Sequence, residues 1–229
     1  MLLQLPPRFA FADFKRVTPV DASTVWETLI ERNGERVPVK RREVAQDNLR
    51  KIIESTFRLA NKTGFGAMTL RDLSRETGLS MGGLYGYITS KDDLASMMED
   101  MIRFIAGSVP TWFEDHGGPL ERLDAVLRAH VFQSEILQPW FYFVFMESRV
   151  LSAGQKQVAK HSELNIQHDI AALIEASGKA DNAQAQLTGA HCLAMVQDWH
   201  VKRWKYRQLK TSVDAFAESV SRLALAGLA

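Results

Sequence analysis

Residues 69–94 read TLRDLSRETGLSMGGLYGYITSKDDL, and this stretch decides the fold. Thr69 and Asp72 form an S/T-x-x-D/E capping box, which satisfies free backbone N–H groups at a helix start. Gly78 predicts the end of that helix, because glycine takes the left-handed conformation without steric cost. Ser80 is typical of the N-cap of a second helix. Two capped helices joined by a glycine turn predict a helix-turn-helix unit.

The second of these helices is rich in glycine, because Gly82, Gly83 and Gly86 all lie between Met81 and Tyr87. Each glycine costs roughly 1 kcal/mol relative to alanine in a helix interior. A helix that bears this cost is suited to close approach by a large partner such as a DNA backbone. The alternative is an ordinary helical hairpin with a glycine-softened turn, because such pairs also occur as purely structural units.

These residues also resemble a known protein family. The segments 69–73 (TLRDL), 77–80 (TGLS) and 83–94 (GLYGYITSKDDL), preceded by a helix with Phe57, are similar to the N-terminal domain of the tetracycline-repressor (TetR) family of transcriptional regulators. The similarity covers residues 47–105 and is only architectural beyond them. The departures are small changes in packing, with Ser74 and Thr77 in place of the usual alanine and Ile88 in place of a frequent phenylalanine.

The resemblance implies an all-α fold, with an N-terminal three-helix helix-turn-helix domain for DNA binding and a helical C-terminal domain for ligand binding and dimerisation. We place an N-terminal extension with a basic arm at residues 1–45, the DNA-binding domain at 46–106 and the effector-binding and dimerisation domain at 107–229. The implied function is a repressor that a small apolar or amphipathic effector releases from its DNA operator. The implied homodimer would set two recognition helices about 34–36 Å apart on a near-palindromic double-stranded operator.

Nine residues of the helix-turn-helix unit become candidates for DNA contact under this resemblance. The start of the second helix would meet base edges or thymine methyl groups through Met81, Gly82 and Gly83. Hydroxyl and ammonium groups are suitable partners for phosphates. The residues assigned to contacts with the DNA backbone are therefore Thr69, Ser80, Tyr85, Tyr87 and Lys91. Arg71 is assigned to either bases or backbone.

Charge alone gives no global attraction to nucleic acid, because the 229-residue chain has a net charge of +1. The charge is uneven, however, with ten basic against seven acidic residues between positions 40 and 93. Such a local excess supplies phosphate contacts even in a nearly neutral protein. The basic arm Lys40, Arg41 and Arg42 either reaches into the minor groove or forms a solvated linker. The run at 202–207 (KRWKYR) is either a nucleic-acid patch or, more simply, a set of cations that complement a helix dipole.

The residues before the basic arm carry a weaker signal. Residues 1–20 contain three prolines and no hydrophobic periodicity, which predicts extended chain. A short helix follows, from a cap at Asp21 or Ser23 to Asn33. We expect this extension to pack on the DNA-binding domain of its own chain, and a binding site for a separate partner is the alternative.

Glycine and proline between residues 107 and 119 predict a break, after which five further helices follow. Helical periodicity predicts them at 120–137, from Pro139, at 153–177, at 183–206 and at 211–228, with the second apolar on all sides and therefore buried. The last two would form the dimer seam by burying one face in their own domain and another against a twin subunit. The residues assigned to that seam are Leu193, Val196, Phe216, Val220 and Leu223.

The C-terminal helices are rich in aromatic residues, and an apolar lining is typical of ligand pockets. We therefore expect a hydrophobic effector, which would move the helix at 90–106 and change the spacing of the two DNA-binding units. The candidate ligand-binding residues are Met101, Trp112, His130, Phe141, Phe145 and His168.

No cofactor, metal site or catalytic residue is predicted. His161 and His168 share a helix face without a cysteine or carboxylate beside them, which makes a poor zinc site. The sequence shows no nucleophile–base pairing, phosphate-cradling loop or two-carboxylate site. An enzyme in the C-terminal domain and a helical scaffold for other proteins remain the alternative functions, because sites assemble in space.

Hydropathy and the N-terminal residues indicate the location. The longest uncharged apolar run lies near 136–146 and is shorter than the about 20 residues that a membrane helix needs. No basic segment followed by an apolar core marks an export signal. We expect a cytoplasmic, nucleoid-associated protein without a membrane partner.

Overall fold

The computed structural model describes residues 1–34, 42–147 and 152–228, and its regular structure is entirely helical within those ranges, as predicted. The first helices are α1 Phe11–Val17, α2 Val25–Arg32, α3 Arg42–Thr63, α4 Leu70–Thr77 and α5 Met81–Tyr85. Next, α6 Lys91–Ser108 leads into a 3₁₀ turn at Val109–Phe113, followed by α7 Pro119–Ile136 and α8 Gln138–Glu147. The remaining helices are α9 Ala153–Ala176, α10 Asn182–Val201, α11 Arg203–Gln208 and α12 Val213–Ala226.

Buried apolar side chains form two clusters. The first cluster, the head core, contains side chains from helices α2 through α6, together with Trp140, Phe141 and Phe143 of α8. The C-terminal core joins the 3₁₀ turn, α7, α9, α10 and α12. Ile136 and Ile166 pack against both clusters, so the two cores touch at α7 and α9. We call residues 42–108, which contribute most of the first core, the head.

The helix α6 connects the head to the rest of the chain. Ser90 Oγ caps its start by accepting a hydrogen bond from Asp93 N at 3.0 Å. Leu94, Met98 and Met101 follow at helical spacing and are fully buried in the head core. The methionine stripe is therefore core packing for this part of the helix.

The N-terminal segment contains a helix, α1, where the sequence predicted extended chain. The Asp13 carboxylate accepts a hydrogen bond from Ala10 N at 3.0 Å, which satisfies a free donor at the helix start. Phe9 and Phe14 are fully buried in the C-terminal core, and the Phe9 ring centroid lies 5.6 Å from that of Phe113 in a stacked arrangement. Aromatic burial therefore fixes a segment that has no hydrophobic period.

The second helix, α2, packs on the head instead. Leu29 is fully buried in the head core, and the ring centroids of Trp26 and Trp140 are 5.4 Å apart. Arg32 donates to both carboxylate oxygens of Asp100 on α6, at 2.8 and 3.0 Å. The expectation that the extension packs on its own DNA-binding domain is right for α2 and wrong for α1.

Residues 1–34 therefore bridge both cores, and we call them the N-terminal brace. Its two parts meet at α7, where the Gln133 side-chain amide donates to Val20 O at 2.7 Å. Phe11 N donates to Asp214 Oδ1 of α12 at 2.7 Å, so α1 is also attached to the last helix described. The brace thus contacts elements that are far apart in the sequence.

The predicted basic arm lies partly outside the described residues, which do not include Lys40 or Arg41. Arg42 begins α3, and its guanidinium binds Glu27 at 3.1 Å and Glu31 at 3.0 Å, both on α2. In the described part of the arm, therefore, the cation holds α2 against the start of α3.

Two C-terminal elements differ from the predictions. The helix expected at 183–206 is broken at Lys202, whose φ of −114° and ψ of 35° end α10 before α11 begins. Helical periodicity continues across this break, so a hydrophobic pattern alone does not detect it. The helix α8 is not buried on all sides, because Phe145 and Met146 are exposed at its end.

Candidate nucleic-acid interface and effector cavity

The helix-turn-helix unit forms as the capping residues predict. Thr69 Oγ1 accepts a hydrogen bond from Asp72 N at 3.1 Å, and the Asp72 carboxylate accepts one from Thr69 N at 3.0 Å. Hydrogen bonds from the Thr69 hydroxyl and amide hold the pKa of Asp72 below its usual value. Gly78 ends α4 with a φ of 73°, and Ser80 Oγ caps α5 by accepting from Gly83 N at 3.1 Å. Side chains therefore fix both ends of the turn.

An apolar plug and two polar contacts set the position of α5. Leu84 is fully buried in the head core. Ser74 Oγ donates to Leu79 O at 2.6 Å, so the residue that departs from the family pattern ties α4 to the turn. Asn48 Nδ2 on α3 donates to the hydroxyl of Tyr87 at 2.9 Å. Asn48 is not recognisable from the sequence as part of the site, because no local pattern pairs residues 39 positions apart.

The outer surface of the unit is open to solvent. A Cβ atom added at Gly82 would meet no other atom within 4 Å, so the backbone is bare at the start of α5. Arg71 has no ion-pair partner among the described residues, whereas other arginines of α3 and α4 bind carboxylates. The exposed DNA-contact candidates are Thr69, Arg71, Ser80, Gly82, Gly83 and Tyr85.

Three candidates are less accessible. Met81 and Tyr87 are half-buried. The Lys91 ammonium donates to Gly66 O at 2.8 Å and lies 5.0 Å from the centroid of the Phe65 ring. Burial lowers the pKa of Lys91. Lys91 therefore ties the start of α6 to the loop after α3, and its predicted phosphate contact stays a prediction.

The segment from α3 to α6 matches a protein-family model. Residues 52–98 fit the model described as bacterial regulatory proteins of the tetR family. The chain carries a TetR-family DNA-binding domain. The match includes the capped turn, the bare start of α5 and the first turns of α6, so the resemblance stated from the sequence is confirmed. Among curated proteins, none matches the sequence.

Solved structures of TetR-family regulators share the fold. The regulator PfmR from Thermus thermophilus is 20% identical, with a TM-score of 0.67 over 78% of this chain and 98% of that one. A tetR-family regulatory protein from Rhodococcus is 16% identical, with a TM-score of 0.67 over 78% and 95%. The fatty acid degradation regulator FadR from Bacillus halodurans is 16% identical, with a TM-score of 0.63 over 79% and 96%. At these identities, the likeness shows the fold alone.

The part of the chain that follows the matched domain contains a cavity of about 360 Å³, which α6 shares with α7, α8, α9 and α10. Small-molecule sites commonly have volumes of ~300–1,000 Å³. One wall is α6, so the helix that packs the head core also faces the cavity. The apolar lining includes Ile102, Phe141, Val144, Ile166, Leu193 and Val196.

Half of the predicted ligand-binding residues line this cavity, namely His130, Phe141 and Phe145. The other three lie elsewhere: Met101 is fully buried in the head core, Trp112 packs beside Phe14 in the C-terminal core, and His168 is exposed on α9. The aromatic content of the C-terminal helices predicts that a pocket exists there, but it does not identify which side chains line the pocket.

Glu99 and His200 are among the polar lining residues that were not predicted from the sequence. Glu99 precedes Ile102 and Ala106 by three and seven positions, which places a single acid on the apolar face of α6. This spacing was the available signal. Burial raises the pKa of Glu99, which is 4% exposed.

Two histidines in the cavity wall have nitrogens without partners. No described residue forms a hydrogen bond with His130 Nε2 or His200 Nδ1, and both atoms are buried. Burial lowers the pKa of each imidazole to about 4, so both rings are neutral at pH 7. Buried nitrogens that lack a partner are costly, and they mark a place where a ligand or water would gain hydrogen bonds.

The predicted dimer-seam residues need a correction. Leu193 and Val196 line the internal cavity, and Phe216 packs against Trp199 with ring centroids 4.8 Å apart. Val220 is likewise buried in the C-terminal core. These four side chains are covered by their own chain, so they present no surface to a second copy. Leu223 is 58% exposed, and Leu187 on α10, which the sequence analysis did not choose, is 60% exposed.

Most of the cations in the basic run at 202–207 are paired within the chain. Lys202 and Lys205 bind Asp198 at 2.8 and 2.6 Å, and Tyr206 donates a hydrogen bond to it. Burial alone would raise the pKa of Asp198, but these three hydrogen bonds lower it to about 2. Arg203 binds Glu135, so three of the four cations in the run are held by carboxylates, and Arg207 is exposed.

Other side chains of interest do not assemble into sites. Within residues 1–34, 42–147 and 152–228, no three histidine, cysteine, aspartate or glutamate side chains group closely enough to hold a metal ion. Cys192 is fully buried, and burial raises the pKa of its thiol to about 11. No helix in the same described ranges has the length and apolarity required to cross a membrane.

Proposed function

We propose that this chain is a ligand-responsive transcriptional repressor, released from its operator when a small apolar or amphipathic molecule enters the cavity beside α6. The position of α6 carries this proposal. Its first half packs in the head core through Leu94 and Met98, and its second half lines the cavity through Ile102 and Ala106. Any ligand that displaces this helix therefore acts on the DNA-binding unit.

The coupling follows from the stiffness of α6. The helix has 18 residues and is therefore about 27 Å long. Its start is held to the head by the Lys91 bond to Gly66, so movement of the cavity end changes the orientation of α5. Ligand and DNA would then favour different states of one equilibrium, and each would weaken the binding of the other by the same factor.

On the operator, the bare start of α5 would approach base edges through Met81, Gly82 and Gly83. The phosphates would meet Thr69, Ser80, Tyr85, Tyr87 and Lys91, with Arg71 on bases or backbone. Two copies would bind a near-palindromic site, and the exposed Leu187 and Leu223 on α10 and α12 support these outer faces as the homodimer seam. Such a protein acts in the cytoplasm, in association with the nucleoid.

The test begins with capture of bound fragments from the genome of the source organism, which defines an operator. Anisotropy titrations over a range of salt concentrations then compare the natural chain with Arg71→Ala. Loss of one phosphate or base contact should weaken binding and, for a phosphate contact, reduce the slope of log K against log salt by about one. Sedimentation of the same preparations should give the mass of a dimer.

The matched control is Lys156→Ala, which removes an exposed cation from α9. Its operator affinity and salt slope should equal those of the natural chain. If Arg71→Ala and Lys156→Ala behave alike, or if no genomic fragment is enriched, the helix-turn-helix unit does not read DNA as proposed.

A further inference from the structure

The Glu99 carboxyl group is an unusual group to line a mainly apolar cavity. It is almost wholly buried, and no described residue donates a hydrogen bond to it. Arg103, one turn later, is bound to Asp100, which also accepts both hydrogen bonds from Arg32. A buried acid without a dedicated partner is costly unless something in the cavity provides one.

Apart from Arg103, the other polar groups around the cavity are carboxylates or uncharged groups. Glu163 also lines it and accepts a hydrogen bond from the Gln197 side-chain amide at 3.2 Å. His130 and His200 each contribute one nitrogen without a partner. Among the described lining residues Arg103 is the cation; it forms its ion pair with Asp100, and its charge acts on Glu99 without a hydrogen bond between them.

We propose that the cavity binds an apolar molecule that carries a protonated amine, with Glu99 as its counter-ion and His130 and His200 as further hydrogen-bond partners. This assignment rests on the proposed effector role of the cavity. An ammonium group beside Glu99 favours the ionised carboxylate. The faces of Phe141 and Phe145 suit a cation for electrostatic reasons.

The same arrangement disfavours an anionic ligand. A carboxylate head group would lie near both Glu99 and Glu163, and the repulsion between like charges would be strongest beside Glu99, which is buried. A neutral alcohol would satisfy a histidine nitrogen but would leave Glu99 without a counter-ion. The charge of the lining therefore ranks the three head groups as ammonium, hydroxyl and carboxylate.

The experiment uses three probes with one apolar body: 4-phenylbutylamine, 4-phenylbutan-1-ol and 4-phenylbutanoate. Each is titrated calorimetrically at pH 7 into the full chain without DNA. The amine should bind at least about tenfold more tightly than the alcohol, because a desolvated charge pair contributes more than a neutral hydrogen bond. The butanoate should bind most weakly.

Variants identify the group responsible. Glu99→Gln should weaken the amine about tenfold or more and change the alcohol by less than about threefold, because it removes the charge and keeps the shape. Glu114→Gln, an exposed position outside the cavity, is the matched control and should leave all three affinities unchanged.

Three results would overturn the assignment: alcohol binding as tight as amine binding, equal weakening of both by Glu99→Gln, or binding of none of the probes. A different result would contradict the proposed function while leaving the ligand assignment intact. If the amine binds as expected but the protein–operator complex persists when the amine is saturating, the cavity takes a cation without controlling DNA binding.

Discussion

The head and the C-terminal core place their charges in opposite ways. In the head, Arg75 and Asp72 lie 3.5 Å apart at the surface, and the arginine side chain is 80% exposed. In the C-terminal core, Arg128 and Asp124 lie 2.9 Å apart with side chains only 6% and 9% exposed. Both pairs occupy neighbouring turns of a single helix, so sequence spacing alone does not distinguish them.

The two pairs differ in exposure because side chains from a distant helix cover only the pair in the C-terminal core. On α12, Glu218 forms an ion pair with Arg128, and the Ser221 hydroxyl donates a hydrogen bond to Asp124. These two residues cover the pair. The pair in the head receives no such cover. A DNA-binding surface needs exposed charges, whereas the C-terminal core uses its charges to join α7 to α12.

The largest expected effect comes from breaking the buried pair. Arg128→Met should lower the free energy of unfolding by about 3–5 kcal/mol, because it leaves the Asp124 carboxylate buried without its cation. Arg75→Met, which breaks the exposed pair, should cost less than about 1 kcal/mol. Urea unfolding followed by circular dichroism measures both. Similar losses in the two variants would remove the distinction between the regions.

The next effect concerns pH, because all six histidines lie between residues 116 and 200 and none lies in the head. Burial lowers the pKa of His130 and His200 from 6.5 to about 4. The unfolded chain therefore gains protons below pH 6.5 that the folded chain does not accept, and stability falls as pH drops from 6.5 towards 4. Each histidine should account for about 2 kcal/mol between pH 7 and pH 5.

Unfolding titrations at the two pH values test this. His130→Asn and His200→Asn should each remove about half of the combined histidine effect, and the exposed His168→Asn should remove none. If all three variants lose the same stability as the natural chain on acidification, the buried histidines are not its source.

The smallest effect separates two glycines of the head. Gly78→Ala should destabilise the chain by about 1 kcal/mol, because Gly78 has a φ of 73°. Gly82→Ala should stabilise it by up to about 1 kcal/mol, because α5 is helical there and the added methyl meets no atom. The same methyl should weaken operator binding. Parallel stability and anisotropy measurements check whether stability and DNA affinity change in opposite directions.

The head could be predicted from the sequence because its signals are local. Thr69, Gly78 and Ser80 mark the ends of helices within a few residues, and the structure uses each as expected. The helix α1 was missed because Ala10, its first flanking residue, has no side-chain acceptor. Its stability comes from aromatic burial against residues about 100 positions away, which no local pattern reveals.

The C-terminal site was predicted less well for a related reason. Hydrophobic periodicity indicated that Val220 and Phe216 would be buried, but it does not identify which neighbour buries them. The prediction assigned both side chains to a contact with a second subunit, but they are buried in the core of their own chain. Glu99 was overlooked because a carboxylate on a helix is ordinary until its surroundings are known.

The N-terminal brace has a consequence for how the protein is made. Its first helix is synthesised early, yet Phe11 N binds Asp214, which leaves the ribosome about 200 residues later. At ~5–20 residues per second, this interval is on the order of 10–40 s. Phe9 and Phe14 pack against Phe113 and Phe132, which emerge about 100–120 residues after them, so their rings stay uncovered while the helix-turn-helix unit is synthesised. A nascent segment with exposed aromatic rings is a natural ligand for chaperones.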